Sequence, residues 1–542
     1  MFKIDYSSKN FLIIDNVKPS LDILKKFAIG LSAKSVDSTK YSQDVVSLCL
    51  EKRYDIIFLG YNLGEKQKNG QQILEELRVS GVISRHCVVI IITAEVSQAM
   101  VLAALEHKPD SYLCKPYSLN ILQNRLDKCM VKKISMYPIY QALDDNDKKL
   151  AIDLINSAIE DNTSYKLECL GIQSRQFFEL KQFDQAEKIY FTYKNKSGCK
   201  WANVGLGKIA LQNNELVQAE SIFKDLISKH PLYLPAYDWL SIVFGLELNP
   251  VLAQETLEQA IELSPRSVHR LKKYAELCFD NKNFEKSASA YQHVYELGYN
   301  SIHHSPQNAL SFVKSLISYS KGLSILEAKK MNNRAFTTLA QMNNSFKQKS
   351  LKIQSYLLSG LLLENIEDYS LADIEVNQGL KLLTKEQKNM DSEELADIAF
   401  SLNNLKRKQH ISELLNSVNK QKDIQAKIKL NHVSAKDHIL SDSYTFRAQK
   451  ALIEAKALYE KEEYQQANES LTEALNLFPN HEGIKLNLVQ VLLKSYEHDR
   501  FMIKELKEAK RIILELITIG KDNESYFRLK KMQKKYQQLV GI

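Results

Sequence analysis

Long apolar runs, a secretion signal and paired cysteines are all missing from this sequence. No apolar stretch approaches the ~20 residues that a membrane-spanning helix requires, and the amino terminus lacks the charged and then apolar pattern of a signal peptide. We expect the unpaired cysteines to be buried free thiols in a reducing cytoplasm, without membrane insertion. The cysteines are Cys49, Cys87, Cys114, Cys129, Cys169, Cys199 and Cys278.

Motifs for catalysis, metal binding and nucleic-acid binding are also missing. No nucleophile is paired with a base and no glycine-rich phosphate loop occurs, so we expect no enzyme activity and no cofactor. The pair His303 and His304 has no carboxylate or cysteine at metal spacing. The net charge of +8 includes a basic concentration at residues 528–535, which suits a solvated helix face or contact with an acidic partner or nucleic acid. Without a DNA-reading motif we favour the solvated face and expect no nucleic-acid partner.

Short apolar runs alternate with amphipathic stretches over the first ~130 residues. Residues 11–15, 55–59 and 88–93 are continuous aliphatic or β-branched runs, typical of strands covered by helices on both sides. Residues 71–78 and 97–107 place apolar side chains at helical spacing. The pattern predicts a doubly wound α/β domain, in which chemistry collects at the carboxyl ends of the strands.

Polar residues stand at three of those strand ends, and a glycine stands at the fourth. Asp15-Asn16, Thr93-Ala94 and Lys115-Pro116 are the polar sites, whereas Gly60 ends the strand at residues 54–60. In this order, over roughly residues 9–132, the sequence resembles the receiver domain of response regulators. The resemblance implies a flavodoxin-like fold with a five-stranded parallel sheet.

The same resemblance implies a metal-binding side of the receiver pocket that is largely lost. Asp15 and Asn16 take the places of the acidic pair that holds Mg²⁺, and Asn62 that of the residue whose backbone carbonyl ligates it. Gly60 takes the place of the phospho-accepting aspartate, so no carboxylate is present there to form an acyl phosphate. Asp15 alone implies at most a poor, unoccupied Mg²⁺ site.

Other pocket residues of the family are retained. The resemblance implies that Thr93 senses the phosphoryl group, Tyr112 is the switch aromatic and Lys115 pairs with phosphoryl oxygens, with a cis bond to Pro116.

Two nearby carboxylates are candidate substitutes for the missing acceptor. Glu65 lies in a loop at residues 62–70 that is slightly longer than usual, so it has the reach to turn inward. Asp55 is a poor substitute because it lies roughly 16 Å down the strand from Gly60. The glycine is either an inherited loss or a change introduced into this chain.

Long amphipathic helical patterns follow residue 133, and they repeat. One unit ends at Pro231 and its successor at Pro265, which lie 34 residues apart, the tetratricopeptide period. Small residues such as Gly207 and Ala219 fall where two helices would cross. We predict an all-α superhelical solenoid. The predicted segments are residues 1–132 (receiver), 133–150 (linker helix), 151–391 (repeats, divergent towards the end), 392–447 (divergent helices) and 448–542 (terminal repeats and capping helix).

This architecture resembles receiver-plus-tetratricopeptide response regulators, such as the auxiliary component of the Vibrio Vie signalling system. The resemblance implies an accessory regulator that binds a sensor histidine kinase or another response regulator and modulates phosphotransfer. In our interpretation this effect is inhibition. A peptide or helix would occupy the solenoid groove. The kinase would dock around residues 20–31 and the loop after Lys115.

Two further hypotheses stay open. In one, the lineage is a phosphorylation-gated switch whose acceptor is lost in this chain. In the other, the receiver is only a folded cap on a helical assembly scaffold.

Overall fold

A computed structural model describes most of the chain. The described residues are 4–64, 67–94, 97–213, 215–247, 249–387, 390, 392–405, 455–477, 482–500, 502–516 and 525–540. Glu65, named above as a substitute carboxylate, and most of the predicted segment 392–447 lie outside them.

The amino-terminal region is a five-stranded parallel sheet flanked by helices, as the sequence predicts. The strand order is β2-β1-β3-β4-β5. The strands are β1 (Asn10–Ile14), β2 (Ser35–Thr39), β3 (Ile56–Gly60), β4 (Val88–Thr93) and β5 (Ser111–Cys114). The helices are α1 (Lys18–Gly30), α2 (Asp44–Glu51), α3 (Gly70–Val79), α4 (Gln98–Glu106) and α5 (Leu119–Ser135).

The central strands are buried on both faces, which explains their unbroken apolar sequence. Every residue of β3 and β4 is buried. Alternate residues serve opposite cores: Ile57 and Leu59 pack on one side of the sheet, and Ile56 and Phe58 on the other. Each such side chain contributes roughly 1.5–3 kcal/mol through burial, so the register of these strands is strongly fixed.

The strand order brings the predicted pocket together. β1 lies between β2 and β3, and the sheet reverses its order there. The parallel register aligns Ile14 with Leu59, and Gly60 with Ile92. Asp15, Gly60 and Thr93 therefore meet at one edge of the sheet, where the loops to the following helices begin.

The rest of the described chain is helical. By contacts the chain divides into two compact units, residues 1–308 and 309–542. After α5 the first unit continues with α6 (Tyr137–Asp144), α7 (Lys148–Glu160), α8 (Lys166–Glu179), α9 (Phe183–Tyr193), α10 (Lys200–Gln212), α11 (Leu216–Lys229), α12 (Leu234–Leu246), α13 (Pro250–Leu263), α14 (Val268–Asp280) and α15 (Phe284–Gly298).

The described helices that follow are α16 (Pro306–Ser320), α17 (Ile325–Ser345), α18 (Lys349–Glu364), α19 (Tyr369–Glu386), α20 (Ser392–Asn404), α21 (Tyr464–Leu477), α22 (Glu482–His498), α23 (Ile503–Glu515) and α24 (Ser525–Val540). None of the described helices is both long and apolar enough to cross a bilayer.

Successive helices pack as pairs through small residues at their contacts. In the pair α10 and α11, a Cβ added to Gly207 would clash with the ring of Phe223. Ala219 on α11 is fully buried beside the same ring. These are two of the positions where the sequence predicts helices to cross. The long run of paired helices is consistent with a solenoid.

Candidate functional site

Asp15 is the buried anchor of the receiver pocket. Its side chain is almost inaccessible, and the residue is 2% exposed. Oδ2 accepts hydrogen bonds from Lys115 Nζ at 2.8 Å and Ser20 Oγ at 2.7 Å, while Oδ1 accepts one from the backbone N–H of Val17 at 2.9 Å. The carboxylate is therefore well compensated in the protein itself, with no need of a metal.

Lys115 is held inside the pocket by this ion pair. The resemblance predicts that its ammonium group pairs with phosphoryl oxygens, but in this structure it pairs with Asp15. The backbone N–H of Lys115 donates to Thr93 O at 2.6 Å, which ties β5 to β4. The bond to Pro116 is cis, as expected. Any anion entering the pocket would have to compete with Asp15 for the lysine.

Gly60 sits in a space with little room for a side chain. A Cβ added there would lie 3.0 Å from the carbonyl oxygen of Ile14 and 3.3 Å from Leu63 Cδ2. A Cβ on Gly70 would lie only 2.6 Å from the carbonyl oxygen of Gly60. The N–H of Gly70 also donates to Tyr61 O at 2.7 Å. The start of α3 thus closes directly over the end of β3.

The two asparagines lie at the mouth of the pocket. Asn62 is exposed, and its Oδ1 accepts a hydrogen bond from the N–H of Gly64 at 3.0 Å. Asn16 is half-buried and faces the same loop, since its Nδ2 lies 3.6 Å from where a Cβ on Gly64 would stand. Asn62 is thus part of the loop after β3, and Asn16, which follows β1, lies against that loop.

The described residues do not fit a Mg²⁺ site of the kind the fold family implies. Such a site uses several carboxylates in near-octahedral geometry, whereas among the described positions of the predicted pocket Asp15 alone is a carboxylate, and it is bound to Lys115. Among the described residues no group of three or more His, Cys, Asp or Glu side chains is placed to hold a metal ion. Asp55, the distant alternative, lies at the other end of β3, where it accepts from the N–H of Asn10 at 2.9 Å.

The remaining predicted residues lie on neighbouring strands. Thr93 is buried at the end of β4, and Tyr112 on β5 is half-buried against the core side formed partly by Ile91. Sequence reasoning missed two residues that border the pocket, Ser20 and Tyr117. Ser20 follows Asp15 by five positions on the first turn of α1. Burial, and secondarily the charge of Asp15, raises the pKa of Tyr117 to about 12.

A second constellation joins α4 of the receiver to the helical region of the same unit. Arg270 on α14 is buried, with a side chain 3% exposed. It donates to Glu106 Oε1 and Oε2 at 3.2 and 3.3 Å, and to Asp238 Oδ1 and Oδ2 at 2.7 and 3.0 Å. Ser264 Oγ donates to Glu106 Oε1 at 2.6 Å. Leu102 packs beside these groups with apolar residues of α12 and α13.

α3 makes its own contacts with the segment around the end of α15. Gln72 Nε2 donates to Leu297 O at 2.9 Å, and His303 Nε2 lies 2.8 Å from Glu75 Oε1. Burial raises the pKa of Glu75, but the hydrogen bond from His303 and the nearby charges of His107 and His303 outweigh it, so the pKa lies below its ordinary value. The histidine pair that showed no ligand spacing thus supplies a hydrogen-bond partner for Glu75 of the receiver.

A continuous chain of polar contacts links this junction to the pocket. Tyr61 Oη lies 3.4 Å from Gln71 Oε1, and Gln71 Nε2 lies 3.1 Å from His107 Nε2. His107 Nδ1 in turn lies 4.0 Å from Glu75 Oε1, which contacts His303. The residue after Gly60 is therefore connected through α3 and α4 to the helical region.

Comparison with known proteins agrees with this geometry. Residues 11–127 match the family model of the response regulator receiver domain. A two-component response regulator from Clostridium difficile is 26% identical, with a TM-score of 0.21, and the match covers 23% of this chain and 96% of that one. A CheY-like receiver domain protein from Methanospirillum hungatei JF-1 is 16% identical, with a TM-score of 0.21 and coverage of 23% and 96%.

A further similar structure, described as the MamA RS-1 ArsTM double mutant, is 15% identical, with a TM-score of 0.26, and the match covers 30% of this chain and 93% of that one. The parallel sheet, the pocket at its edge and the family match lead to one conclusion. Residues 11–127 of this chain are a receiver domain of the response-regulator family.

Proposed function

We propose that this chain is an accessory response regulator of a bacterial two-component system, which acts by protein–protein binding and does not accept a phosphoryl group. The observation that carries the proposal is Gly60. It offers no carboxylate at the predicted acceptor position, and the carbonyl oxygen of Ile14 and the side chain of Leu63 lie close to where a Cβ would stand. The ion pair between Lys115 and Asp15 satisfies the charges that a phosphoryl group and Mg²⁺ would otherwise engage.

In this proposal the receiver serves as a docking surface. α1 exposes two large apolar side chains, Ile23 at 51% and Ile29 at 65%, on the helix around which the sensor kinase is predicted to dock. α4, by contrast, is engaged through Glu106 and Leu102 with the helices of its own unit. The α1 side and the loop after Lys115 are therefore the faces of the receiver that we assign to a kinase or to another response regulator.

The helical region, which we interpret as tetratricopeptide repeats, would bind a second partner or a second segment of the same one. Joining two binding modules in one chain raises the effective concentration of the second contact. A receiver that holds a kinase without accepting phosphate would lower transfer to the true regulator. The proposed role is inhibitory, non-enzymatic and cytoplasmic.

The docking face is tested by charge substitution on α1. Purified full-length chain is screened against sensor histidine kinases of the source organism, and the kinase that binds is retained. Ile23→Glu with Ile29→Glu should weaken that binding at least tenfold. The matched control is Val79→Glu, since Val79 at the end of α3 is 70% exposed and lies outside the proposed face. Equal binding by parent and α1 variant would refute the proposal.

The scaffold alternative is favoured by one observation, the burial of Arg270 between the receiver and α12. A receiver that is only a cap would use this contact for stability and would not itself contact the kinase. Any kinase binding would then occur through the helical region. Kinase binding that survives both the α1 and the Val79 substitutions would therefore favour the cap.

The phosphorylation-switch alternative requires that Gly60→Asp restores labelling by acetyl phosphate. The contact of a Cβ with Ile14 O at 3.0 Å argues against it.

A further inference from the structure

One face of the helical region combines positive charge with aromatic rings. It is formed by α8, α10 and α12, the first helices of three consecutive pairs, with α10 in contact with both of the others. Lys208 Nζ on α10 lies 4.2 Å from the ring centroid of Phe178 and 5.2 Å from that of Trp239. A single cation thus spans rings from both neighbouring helices, an arrangement that holds it by cation–π attraction. We call this face the basic aromatic groove.

Two further cations lie near the groove, and neither forms an ion pair with a carboxylate of the described residues. Arg175 lies on α8, three residues before Phe178, and Lys108 follows α4 of the receiver. Within the described residues of the chain, neither they nor Lys208 forms an ion pair. The neighbouring carboxylate Glu179 is already bound to Lys148 at 2.8 Å.

Arg175 lies within electrostatic reach of both lysines. Burial, followed by the charge of Arg175, lowers the pKa of Lys208. The pKa of Lys108 is lowered by the surrounding protein and then by Arg175 and Arg85, although the residue is exposed. Arg175 thus joins the two lysines in one cluster of positive charge.

The aromatic lining continues beyond Trp239. Tyr233, just before α12, is half-buried, and Lys200 Nζ lies 5.5 Å from its ring centroid. The groove therefore offers apolar rings and unpaired cations side by side, over a length of three helices. Such a surface favours a ligand that carries negative charge together with an apolar side chain.

We propose that the basic aromatic groove binds an acidic segment of a partner protein, with carboxylates at Lys108, Arg175 and Lys208 and an apolar side chain against the half-buried rings that flank Lys208. Carboxylates would relieve the mutual repulsion of these cations, which is the physical source of affinity. The inference rests on the proposed binding role of the helical region, and it names the chemistry of the segment bound there.

Charge pattern separates this ligand from a nucleic acid. A phosphate backbone is held by many cations along its path, whereas the groove is interrupted by Glu179 and Asp238, whose charges are engaged by Lys148 and Arg270. A short acidic peptide can place its carboxylates at the three cations and avoid these positions.

The test uses the full-length chain and a labelled peptide of glutamate and aspartate with one phenylalanine, followed by fluorescence anisotropy. Saturable binding is expected, and Arg175→Glu or Lys208→Glu should each weaken it at least tenfold. Lys208→Met, which keeps most of the packing volume, should weaken it less than Lys208→Glu. Lys188→Glu on α9 is the matched control because Lys188 is exposed on the partner helix of α8, and it should change the affinity less than twofold.

Three results would overturn the inference: no saturable binding, equal weakening by the Lys188 control, or tighter binding of an oligouridylate that displaces the peptide. Circular dichroism shows whether each variant is folded. Kinase binding is measured on the same proteins. A chain that binds the kinase through α1 but not the peptide disproves this inference alone, whereas a chain that binds the peptide but no kinase disproves the docking role of the receiver alone.

Discussion

Gly60 and Gly70 lie where the backbone packs closely at the predicted acceptor position. The start of α3 rests on the Gly60 carbonyl, and Ile14 O approaches from β1, so that even one added methyl group meets protein. At this scale the predicted acceptor position carries no carboxylate, and a Cβ placed there would lie in tight contact with Ile14 O. Asp15, deprived of other carboxylates, is neutralised by Lys115 within the chain.

Gly60→Ala should therefore destabilise the receiver. Overpacking against Ile14 costs about 1–3 kcal/mol, from which about 0.5–1 kcal/mol is regained because glycine is poorly suited to a strand. We expect a net loss of about 1–2 kcal/mol in urea unfolding. Gly30→Ala is the control, since a Cβ there meets nothing within 4 Å and should cause no loss. A Gly60→Ala variant as stable as the parent would show that the pocket is open.

Lys115→Met should leave the buried carboxylate of Asp15 without its cation. We expect a loss of about 1–3 kcal/mol, at the lower end because Lys115 is partly exposed and Asp15 keeps its bonds to Ser20 and Val17. The double variant with Asp15→Asn should be more stable than the sum of the two single losses predicts. Additive losses in urea unfolding would mean that the pair is not coupled.

At the scale of elements, α3 and α4 form the junction with the helical region. Their polar contacts are partly buried, and each pairs a receiver residue with one far along the chain. Glu106 and Arg270 are 164 positions apart, and Glu75 and His303 are 228 apart. A junction made of ion pairs depends on both partners, because removal of one leaves a buried charge uncompensated.

Arg270→Met should loosen this junction. It leaves Glu106 and Asp238 unpaired, for an expected loss of about 2–4 kcal/mol, discounted because both carboxylates are partly exposed. Amide hydrogen exchange should speed up in α4 and α14 but not in the central strand β3. Lys272→Met on the exposed side of α14 is the control. Unchanged exchange in α4 would contradict the proposed role of the arginine.

Glu75 should give the junction a pH dependence. Because its pKa in the folded chain is lowered, its contribution to stability is complete above the ordinary carboxyl pKa and is lost as the pH falls through the lowered value. The free energy of unfolding should therefore differ between parent and Glu75→Gln at neutral pH, and this difference should shrink in acid. Glu160→Gln, at an exposed position, should show no such trend. A difference that grows in acid would reverse the assigned sign.

The sequence revealed the pocket better than it revealed the junction. Residues 88–93 were predicted as a strand with the bounds that β4 has, because unbroken β-branched runs reflect burial on both faces. Asp15 and Lys115 could be placed because they directly follow strands. Arg270 and His303 leave no such local signal, since an ion pair between distant elements depends on how whole helices pack. The more polar β2 was missed because it lacks an unbroken apolar run.

At the scale of the whole molecule, a receiver domain with Gly60 at the predicted acceptor position is joined to a long run of helix pairs. In the proposed account α1 binds a kinase and the basic aromatic groove binds an acidic segment. The receiver accepts no phosphoryl group from the kinase. These three roles depend on binding alone, and the described residues that perform them lie on different elements.

Phosphotransfer measured with the binding kinase and labelled ATP tests the central claim most directly. The kinase is autophosphorylated and then mixed with its cognate regulator, with or without a molar excess of the full-length chain. The account predicts that no label appears on this chain and that label reaches the cognate regulator more slowly in its presence, an effect lost in the Ile23→Glu and Ile29→Glu double variant. The account would be contradicted if label remained on this chain after the kinase is removed. It would also be contradicted if label reached the cognate regulator at an unchanged rate.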